Sequence, residues 1–461
     1  MKFKFQLFLV AAGAALSVPS TALWGQQTYR PEPNGKEIYI PKELSRMNLQ
    51  SDTSLYSYQR LRCTPDLAAF WERPFGADPA TAPDYKGKGM KVNIDQVLKR
   101  TQYFYDFYVD SLKWLLPGSK AERYRMMIML RYNDDGTAYG GDYDGEVGGL
   151  WVSPSRLQDT TLNVLAHELG HSFQAQLGAD GTRGLNQGPL WEMTSQWMLW
   201  QVNPDWVRDE NYHWVEFMKR TNYAFCHFEN IYRSPYVLEL FSMKHGREYI
   251  GRLWREAKPD EDIAQAYMRL SGLTQEEFNR EMYEGAARFM TYDIPRVWKN
   301  MRPYANRHCC RMTVDPKDAE IYYIAPERTL GSYGYNGIRL NVPAAGSKIS
   351  LKLVPDSLTA GATGGFYYGL VAVDKAGKPH YEAMEYVAAD EGKKAKSLKY
   401  KIPASGVDYL WLVVTSAPAE HTLSADARWY CHFEMKGTRP HDDMLNAEPF
   451  DAPKKRARGR R

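Results

Sequence analysis

The chain has 461 residues, 44% of them hydrophobic and 13% aromatic, with a formal net charge of +4. That length allows two or three domains with a sizeable buried core. The charge is modest, and part of it sits in the terminal stretch KKRARGRR (454–461), which argues against a nucleic-acid binder.

The N-terminus reads MKFKFQLFLVAAGAALSVPSTALWGQQ. Lys2 and Lys4 form a basic head. The apolar run 7–18 is too short for a membrane span, and small residues follow it. These are the features of a secretory signal peptide. Ser20 and Ala22 fit the −3 and −1 positions, so cleavage is expected after Ala22, with Gly25 as the second choice. No cysteine follows the run, which argues against a lipoprotein anchor, and no later stretch is long and apolar enough to span a membrane. A secreted, periplasmic or cell-surface protein is expected, with 1–22 removed.

Residues 23–55 are polar and dotted with proline, as in an extended lead-in. A strand is expected around 57–67, a loop over 76–92, and an amphipathic helix over 93–116, with Val97, Tyr103, Phe107, Val109 and Leu112 among its apolar positions. YRMMIMLRY (124–132) reads as a buried strand. NDDGTAYGGDYDGEVGG (133–149) reads as a loop, and LWVSPS (150–155) as a short edge strand stopped by Pro154. Asp134, Asp135, Asp142 and Asp144 in that loop do not follow EF-hand spacing, so a solvated loop is expected there rather than a calcium site.

TLNVLAHELGHSFQAQ (161–176) follows, capped by Thr160 or Thr161. Leu162, Leu165, Leu169 and Phe173 share one face at helical spacing; His167 and His171 share another. Two imidazoles one turn apart can grip one metal ion from the same side. Hydrolysis at a tetrahedral Zn²⁺ needs three protein ligands and an open position for water. Zinc lowers the pKa of that water from about 15.7 to about 7. A neighbouring carboxylate must then take its proton, and Glu168 is placed for that task. The plainer alternative is a structural helix with two chance histidines. For the third ligand, GPLWEMTSQWMLW (188–200) predicts a helix with Pro189 in its first turn, which would aim Glu192 inward. The glycines of 178–188 allow the chain to turn back between the two helices.

Residues 190–300 read as mostly helical, interrupted at Gly246, Pro259 and Gly272. After about 311, IRLNVP, KISLKLVP, YYGLVAV, SLKYKIP and DYLWLVVTS alternate apolar and polar residues between turn signals. An independently folded antiparallel β-sandwich is expected over 311–436, then a disordered basic tail over 437–461. Of the five cysteines, the vicinal pair Cys309–Cys310 is not expected to bond to itself. A link from that pair to Cys431 and a fully reduced set are both open.

HExxH followed about twenty residues later by Glu resembles the gluzincin branch of zinc metallopeptidases, over roughly residues 120–250. The chain also resembles a family of secreted bacterial proteins that join such a domain to a C-terminal β-sandwich. The resemblance implies an α+β fold: a zincin-like catalytic domain over 23–310, with a small mixed sheet plus helices, followed by the sandwich. It implies Zn²⁺ held by His167, His171 and Glu192, with Glu168 as general base. Two positions depart from the gluzincin pattern: Trp191 stands where Asn often precedes the third ligand, and Gln196 where thermolysin-like members carry the Asp that orients a zinc histidine. Gln196 can offer only its amide carbonyl, with Ser195 as another source of support. The resemblance also implies an oxyanion donor downstream, for which YAFCHFENIYRSPYVLELF offers His227, Tyr232 and Tyr236; the two tyrosines are favoured. The expected partner is a protein or glycoprotein substrate, which could add as a strand along LWVSP, where Gly148 and Gly149 would allow close approach. The competing expectation is a non-catalytic scaffold of the same fold that binds glycans or proteins at the cell surface.

Overall fold

The structure, a computed structural model, describes residues 28–448 except 183, 186, 187, 231 and 234. The expected leader, 1–22, and the basic stretch 449–461 lie outside the described residues. The fold is α+β. No described helix is long and apolar enough to cross a membrane.

The first half is built on a five-stranded mixed sheet: β1 (Leu61–Cys63), β2 (Leu67–Trp71), β3 (Met126–Leu130), β4 (Ala138–Tyr143) and β5 (Val147–Val152). Its order is β1-β2-β3-β5-β4. The central strands β2, β3 and β5 are parallel, and the two edge strands run antiparallel to them. Strand β3, MMIML, is buried along its whole length, as expected of a parallel strand covered on both faces. Parallel neighbours need a crossover, and α1 (Ile94–Asp110) supplies it between β2 and β3. The Asn93 side chain caps α1 by accepting from the Gln96 N–H. Its buried stripe is Val97, Leu98, Thr101, Phe104, Tyr105 and Tyr108, whereas Tyr103, expected inward, is exposed.

The segment 133–149, expected as a loop, instead contains the hairpin of β4 and β5. Of the expected edge strand 150–155, residues 150–152 are the end of β5, which lies inside the sheet, and a short 3-10 turn begins at Pro154; the edge is β4. Glycine content misleads at this point, because the glycines serve close packing rather than turning. After β5 come α2 (Asn163–Ala179) and α3 (Gly188–Val202), then two short helices, Trp206–Asp209 and Tyr212–Met218. A helical run follows: α4 (Pro235–His245), α5 (Tyr249–Glu256), α6 (Ile263–Ser271) and α7 (Gln275–Phe289). Gly246 and Gly272 adopt positive φ at two of its breaks.

The β-rich second half forms two antiparallel sheets. One has the order β8 (Tyr335–Leu340), β13 (Tyr409–Ala417), β10 (Gly365–Val373), β11 (Pro379–Ala388). The other has the order β12 (Leu398–Lys401), β9 (Lys348–Leu358), β14 (Trp429–Lys436), β7 (Ile321–Ile324), β6 (Met312–Val314). The sheets enclose a core that includes Leu353, Phe366, Leu370, Leu412 and Phe433. The opposite face of the four-stranded sheet is not solvated. Tyr335, Tyr367, Val371, Trp411 and Val413 join the core of the helical half. Arg328, fully buried, donates to the carbonyl of Lys219 at 2.8 Å and to Thr221 Oγ1 at 2.6 Å. The sandwich is therefore built into the rest of the molecule. Part of the expected disordered tail is ordered: helix Asp442–Leu445 packs on the sandwich and buries Met444. All five cysteines are free thiols.

His308 sits in this junction, buried beside Tyr292, Tyr335 and Trp411. Its Nε2 pairs with the Tyr335 hydroxyl at 3.0 Å, and its Nδ1 has no partner among the described residues. Burial, helped by the positive charge of Arg328, lowers its pKa to about 3. An unfolded histidine titrates near 6.5. Between those values the unfolded chain binds a proton that the folded chain refuses. The contribution is present above about pH 6.5 and is lost as pH falls toward 3. It amounts to a few kcal/mol, because each tenfold change in proton affinity is worth about 1.4 kcal/mol. Urea unfolding from pH 8 to 4 should show a steep acid loss in the wild type and a shallower one in His308→Gln. Parallel acid limbs in the two proteins would refute this assignment.

Candidate metal centre

Helix α2 begins without a side-chain cap. Leu162 takes a left-handed conformation at its entry, and its N–H is held by Asp159 Oδ1 at 2.7 Å, so Thr160 and Thr161 do not cap it. Leu162, Leu165, Leu169 and Phe173 are buried as expected. Phe173 meets Tyr105 and Tyr108 of α1, and the Tyr108 hydroxyl donates to the carbonyl of Ala166 at 3.0 Å. These contacts fix the rotation of α2 about its axis and turn His167 and His171 toward α3.

Strands β4 and β5 pass unusually close to α2. A Cβ on Gly140 would fall 1.9 Å from the carbonyl oxygen of Glu168, and one on Gly148 would fall 2.7 Å from that of Ser172. Side chains at those positions would collide with backbone. At Gly148 and the neighbouring Gly149 the close approach is that of α2, not of a substrate: Gly148 N–H donates to Gln176 Oε1 at 2.8 Å, and Ser172 Oγ donates to the Gly149 carbonyl at 2.8 Å. Gly140→Ala should cost about 3 kcal/mol or more, since neither backbone can yield. Gly178→Ala, on the same helix with open space around it, should be neutral or slightly stabilising. Denaturant midpoints of the two variants check this; equal midpoints would contradict it.

Helix α3 carries Glu192 and Gln196 one turn apart. His167 Nε2, His171 Nε2 and Glu192 Oε2 form a triangle with all three sides at 3.1 Å. A tetrahedral shell with zinc–donor distances of about 2.0–2.1 Å has donor–donor edges of about 3.3 Å, so the triangle matches one face of such a shell. Among the described residues this is the group of three His, Cys, Asp or Glu side chains able to hold a metal ion.

The hydrogen bonds behind the triangle fix the chemistry of its corners. His171 Nδ1 faces Gln174 Oε1 at 2.7 Å, and the Gln174 amide nitrogen donates to the Trp191 carbonyl at 2.8 Å. His167 Nδ1 faces Gln196 Oε1 at 3.0 Å. A carbonyl oxygen can only accept, so each Nδ1 carries a proton, and in the neutral ring each Nε2 presents a lone pair. With both rings neutral, two lone pairs and a carboxylate oxygen converge with no donor between them, an arrangement that suits a cation, whether a metal ion or a proton shared between His167 and Glu192. Burial pushes the Glu192 carboxyl up, but the contacts with His167 and His171 outweigh it and hold the group well below the usual carboxylate range. Burial works against charge on His167, and the Glu192 contact and the Glu168 charge overcome it, raising its pKa.

Ser195 bonds to the backbone carbonyl of His167 and leaves the ring orientation to Gln196. Gln174, three residues after His171 on the same helix, is not singled out by any motif; an i, i+3 glutamine is its only local signal. Trp191 stacks on His171, with ring centroids 5.8 Å apart. Glu168 is half-buried; its carbonyl accepts from Ser172 Oγ at 3.1 Å, and its carboxylate makes no hydrogen bond to a described residue. Tyr232 lies beside the cluster, its ring 6.1 Å from that of His167 and 39% exposed. Burial first, then the charge of and contact with Glu192, then the Glu168 charge keep its hydroxyl protonated.

Tyr236 does not belong here. It is fully buried at the start of α4 among Trp200, Phe217, Phe289 and Tyr292. Tyr232 and Arg233 lie in a turn ahead of α4, so the two tyrosines do not share a helical face. His227 packs on Tyr223 and accepts from the Glu229 N–H, with no bond to the cluster. The four loop aspartates do not converge. Asp134 pairs with Lys88, Asp135 with Thr137, Asp142 with the Gly145 N–H, and Asp144 with Tyr39 and the Lys42 N–H.

No curated protein matches the chain. Among solved structures, 28% of the chain is similar to 84% of a chain in "Crystal structure of accessory secretory protein 1,2 and 3 in Streptococcus pneumoniae", at 12% identity and a TM-score of 0.16. A further 8%-identical similarity, also with a TM-score of 0.16, covers 60% of this chain and 39% of a chain described as a family GH115 4-O-methyl-alpha-glucuronidase with specificity for decorated arabinogalactans. Both TM-scores are too low to bear on fold or activity. Residues 31–442, nearly all of the described chain, match the model of a family of unknown function, DUF6055, and the chain belongs to that family.

Proposed function

We propose that the protein is an exported zinc-dependent peptidase with a zincin-like catalytic half of gluzincin type, acting on protein or glycoprotein substrates. The reading is carried by one observation: two imidazole lone pairs and a carboxylate oxygen meet in a 3.1 Å triangle, with both Nδ1 protons committed to amide oxygens. His167, His171 and Glu192 hold the ion. Zinc there would lower the pKa of a bound water and polarise a scissile carbonyl.

The other steps fall to the chain's own side chains. Glu168 follows a ligand on the same helix, and its carboxylate is committed to no hydrogen bond with a described residue, so it is free to accept the attacking water's proton and pass it to the leaving amine. Tyr232, protonated and beside the ligands, donates to the oxygen that gains negative charge. Among the described residues strand β4 ends the sheet with one hydrogen-bonding edge unpaired, and an extended substrate would pair along it.

Elemental analysis of protein prepared without chelators should find about one zinc per chain, and His167→Ala should lose most of it. Incubation with a peptide library and with mucin-like glycoproteins should give cleavage that a chelator abolishes. Absence of zinc from the wild type would sink the proposal. Full zinc occupancy without any turnover would favour the scaffold reading.

A further inference from the structure

We propose that His213 is a positioning residue for the metal centre: it locks the Gln196 amide in the orientation that makes His167 a ligand. The inference rests on the zinc reading above and extends it beyond the groups that touch the ligands.

A glutamine amide is nearly symmetric in shape. Turning it end for end exchanges oxygen and nitrogen at little steric cost. For a metal ligand the exchange is decisive. When the oxygen faces His167 Nδ1, that nitrogen holds the proton and Nε2 keeps its lone pair. When the NH₂ faces Nδ1, the proton moves to Nε2, which then cannot bind an ion. Whatever lies at the far end of each amide therefore decides whether its histidine is competent.

The two glutamines are closed differently. Gln174 ends on the Trp191 carbonyl at 2.8 Å, an acceptor that cannot change its role. Gln196 ends on His213 Nε2 at 3.3 Å, with the Tyr232 carbonyl at 3.5 Å, the limit of a hydrogen bond. His213 is thus the nearer acceptor, and it accepts only with its own proton on Nδ1.

His213 is built into its place. It lies on the short helix Tyr212–Met218, is 9% exposed, and its ring sits 5.4 Å from that of Trp206 and 4.1 Å from that of Tyr212. The charged group facing it is Glu210, whose Oε2 lies 3.4 Å from the same Nε2. That carboxylate is held by Trp206 Nε1 at 3.2 Å and the Tyr212 hydroxyl at 3.5 Å. A donor at His213 Nε2 would satisfy Glu210 but would set two donors against each other at Gln196. The orientation that suits the metal is the one in which His213 accepts.

The test is zinc affinity of the full chain, measured by chelator competition at pH 8, alongside the thermal midpoint of each metal-free protein. His213→Phe keeps the ring volume and removes the acceptor. It should weaken zinc binding by about 10–100-fold, the range for losing a group that supports a ligand. Gln196→Ala should weaken it at least as much. Adding His213→Phe to Gln196→Ala should cost nothing further, because the two act through one amide. His213→Gln, whose carbonyl can stand near the Nε2 position, should restore affinity to within about threefold of wild type. If His213→Phe does not fold, His213→Leu carries the same expectation. A merely structural role would lower the metal-free midpoint and leave zinc affinity within twofold of wild type; that result, or full additivity with Gln196→Ala, overturns the proposal. If wild type takes up no zinc in the same titration, the metal reading itself fails and this inference falls with it.

Discussion

Glu168→Gln should retain zinc and fold like the wild type, while turnover falls by about 10²–10⁴-fold, the range for losing a general base. The substitution preserves length, helix propensity and the backbone carbonyl that faces Gly140. It removes the ability to accept a proton. No described hydrogen bond is broken, because the Glu168 carboxylate makes none, so a loss of stability is not expected to confuse the result. His171→Ala should fail in another way. It deletes a corner of the triangle and leaves Gln174 Oε1 without its imidazole partner, so metal and activity should disappear together. Zinc content and peptide hydrolysis measured on both variants separate the roles. A Glu168→Gln protein that turns over at the wild-type rate would remove this residue from the mechanism, and with it the case for a gluzincin-like peptidase.

A chain ending after residue 305 should not fold to a cooperative native state. The sequence predicts the opposite, because alternating strands after a helical region read as a separate unit. The strands do form a sandwich, but its four-stranded sheet is apolar on both faces. Truncation would strip Tyr335, Tyr367, Val371, Trp411 and Val413 from the helical core. It would also leave the carbonyl of Lys219 and the hydroxyl of Thr221 without the Arg328 guanidinium. Burying a large side chain such as one of these contributes about 1.5–3 kcal/mol, and several are lost at once, against a total stability of about 5–15 kcal/mol. Circular dichroism and a denaturant titration of the shortened chain would show no sigmoidal transition. A sharp two-state transition near the wild-type midpoint would show the halves to be independent.

The contrast shows what a sequence can carry. His167, Glu168 and His171 were legible because a four-residue spacing is local to one helix. Glu192 was legible because Pro189 sets the start, and so the phase, of the next helix. Gln196 was readable as an amide whose carbonyl could accept from a histidine of the pair, and its Oε1 stands 3.0 Å from His167 Nδ1. Tyr236 was misplaced because whether 232 and 236 share a face depends on a turn between them that residue type does not reveal. The hairpin over 138–152 was half missed because glycine and aspartate signal turns, while here glycine answers to a neighbour distant in sequence. The second buried face of the sandwich was hidden because β10, GFYYGLVAV, is apolar almost throughout, and only its partners show that both faces are covered.

That glycine contact bears on which changes of sequence the helix of His167 and His171 can tolerate. Where β4 crosses α2, no side chain fits between strand and helix, so main chain meets main chain there. Amide groups are the same in every residue and carry no message about sequence. A contact of this kind fixes how closely the helix lies on the strand, and it does so whatever side chains point away from it. Residues elsewhere on β4 and α2 can therefore change while the backbone contact that keeps Glu168 in place persists.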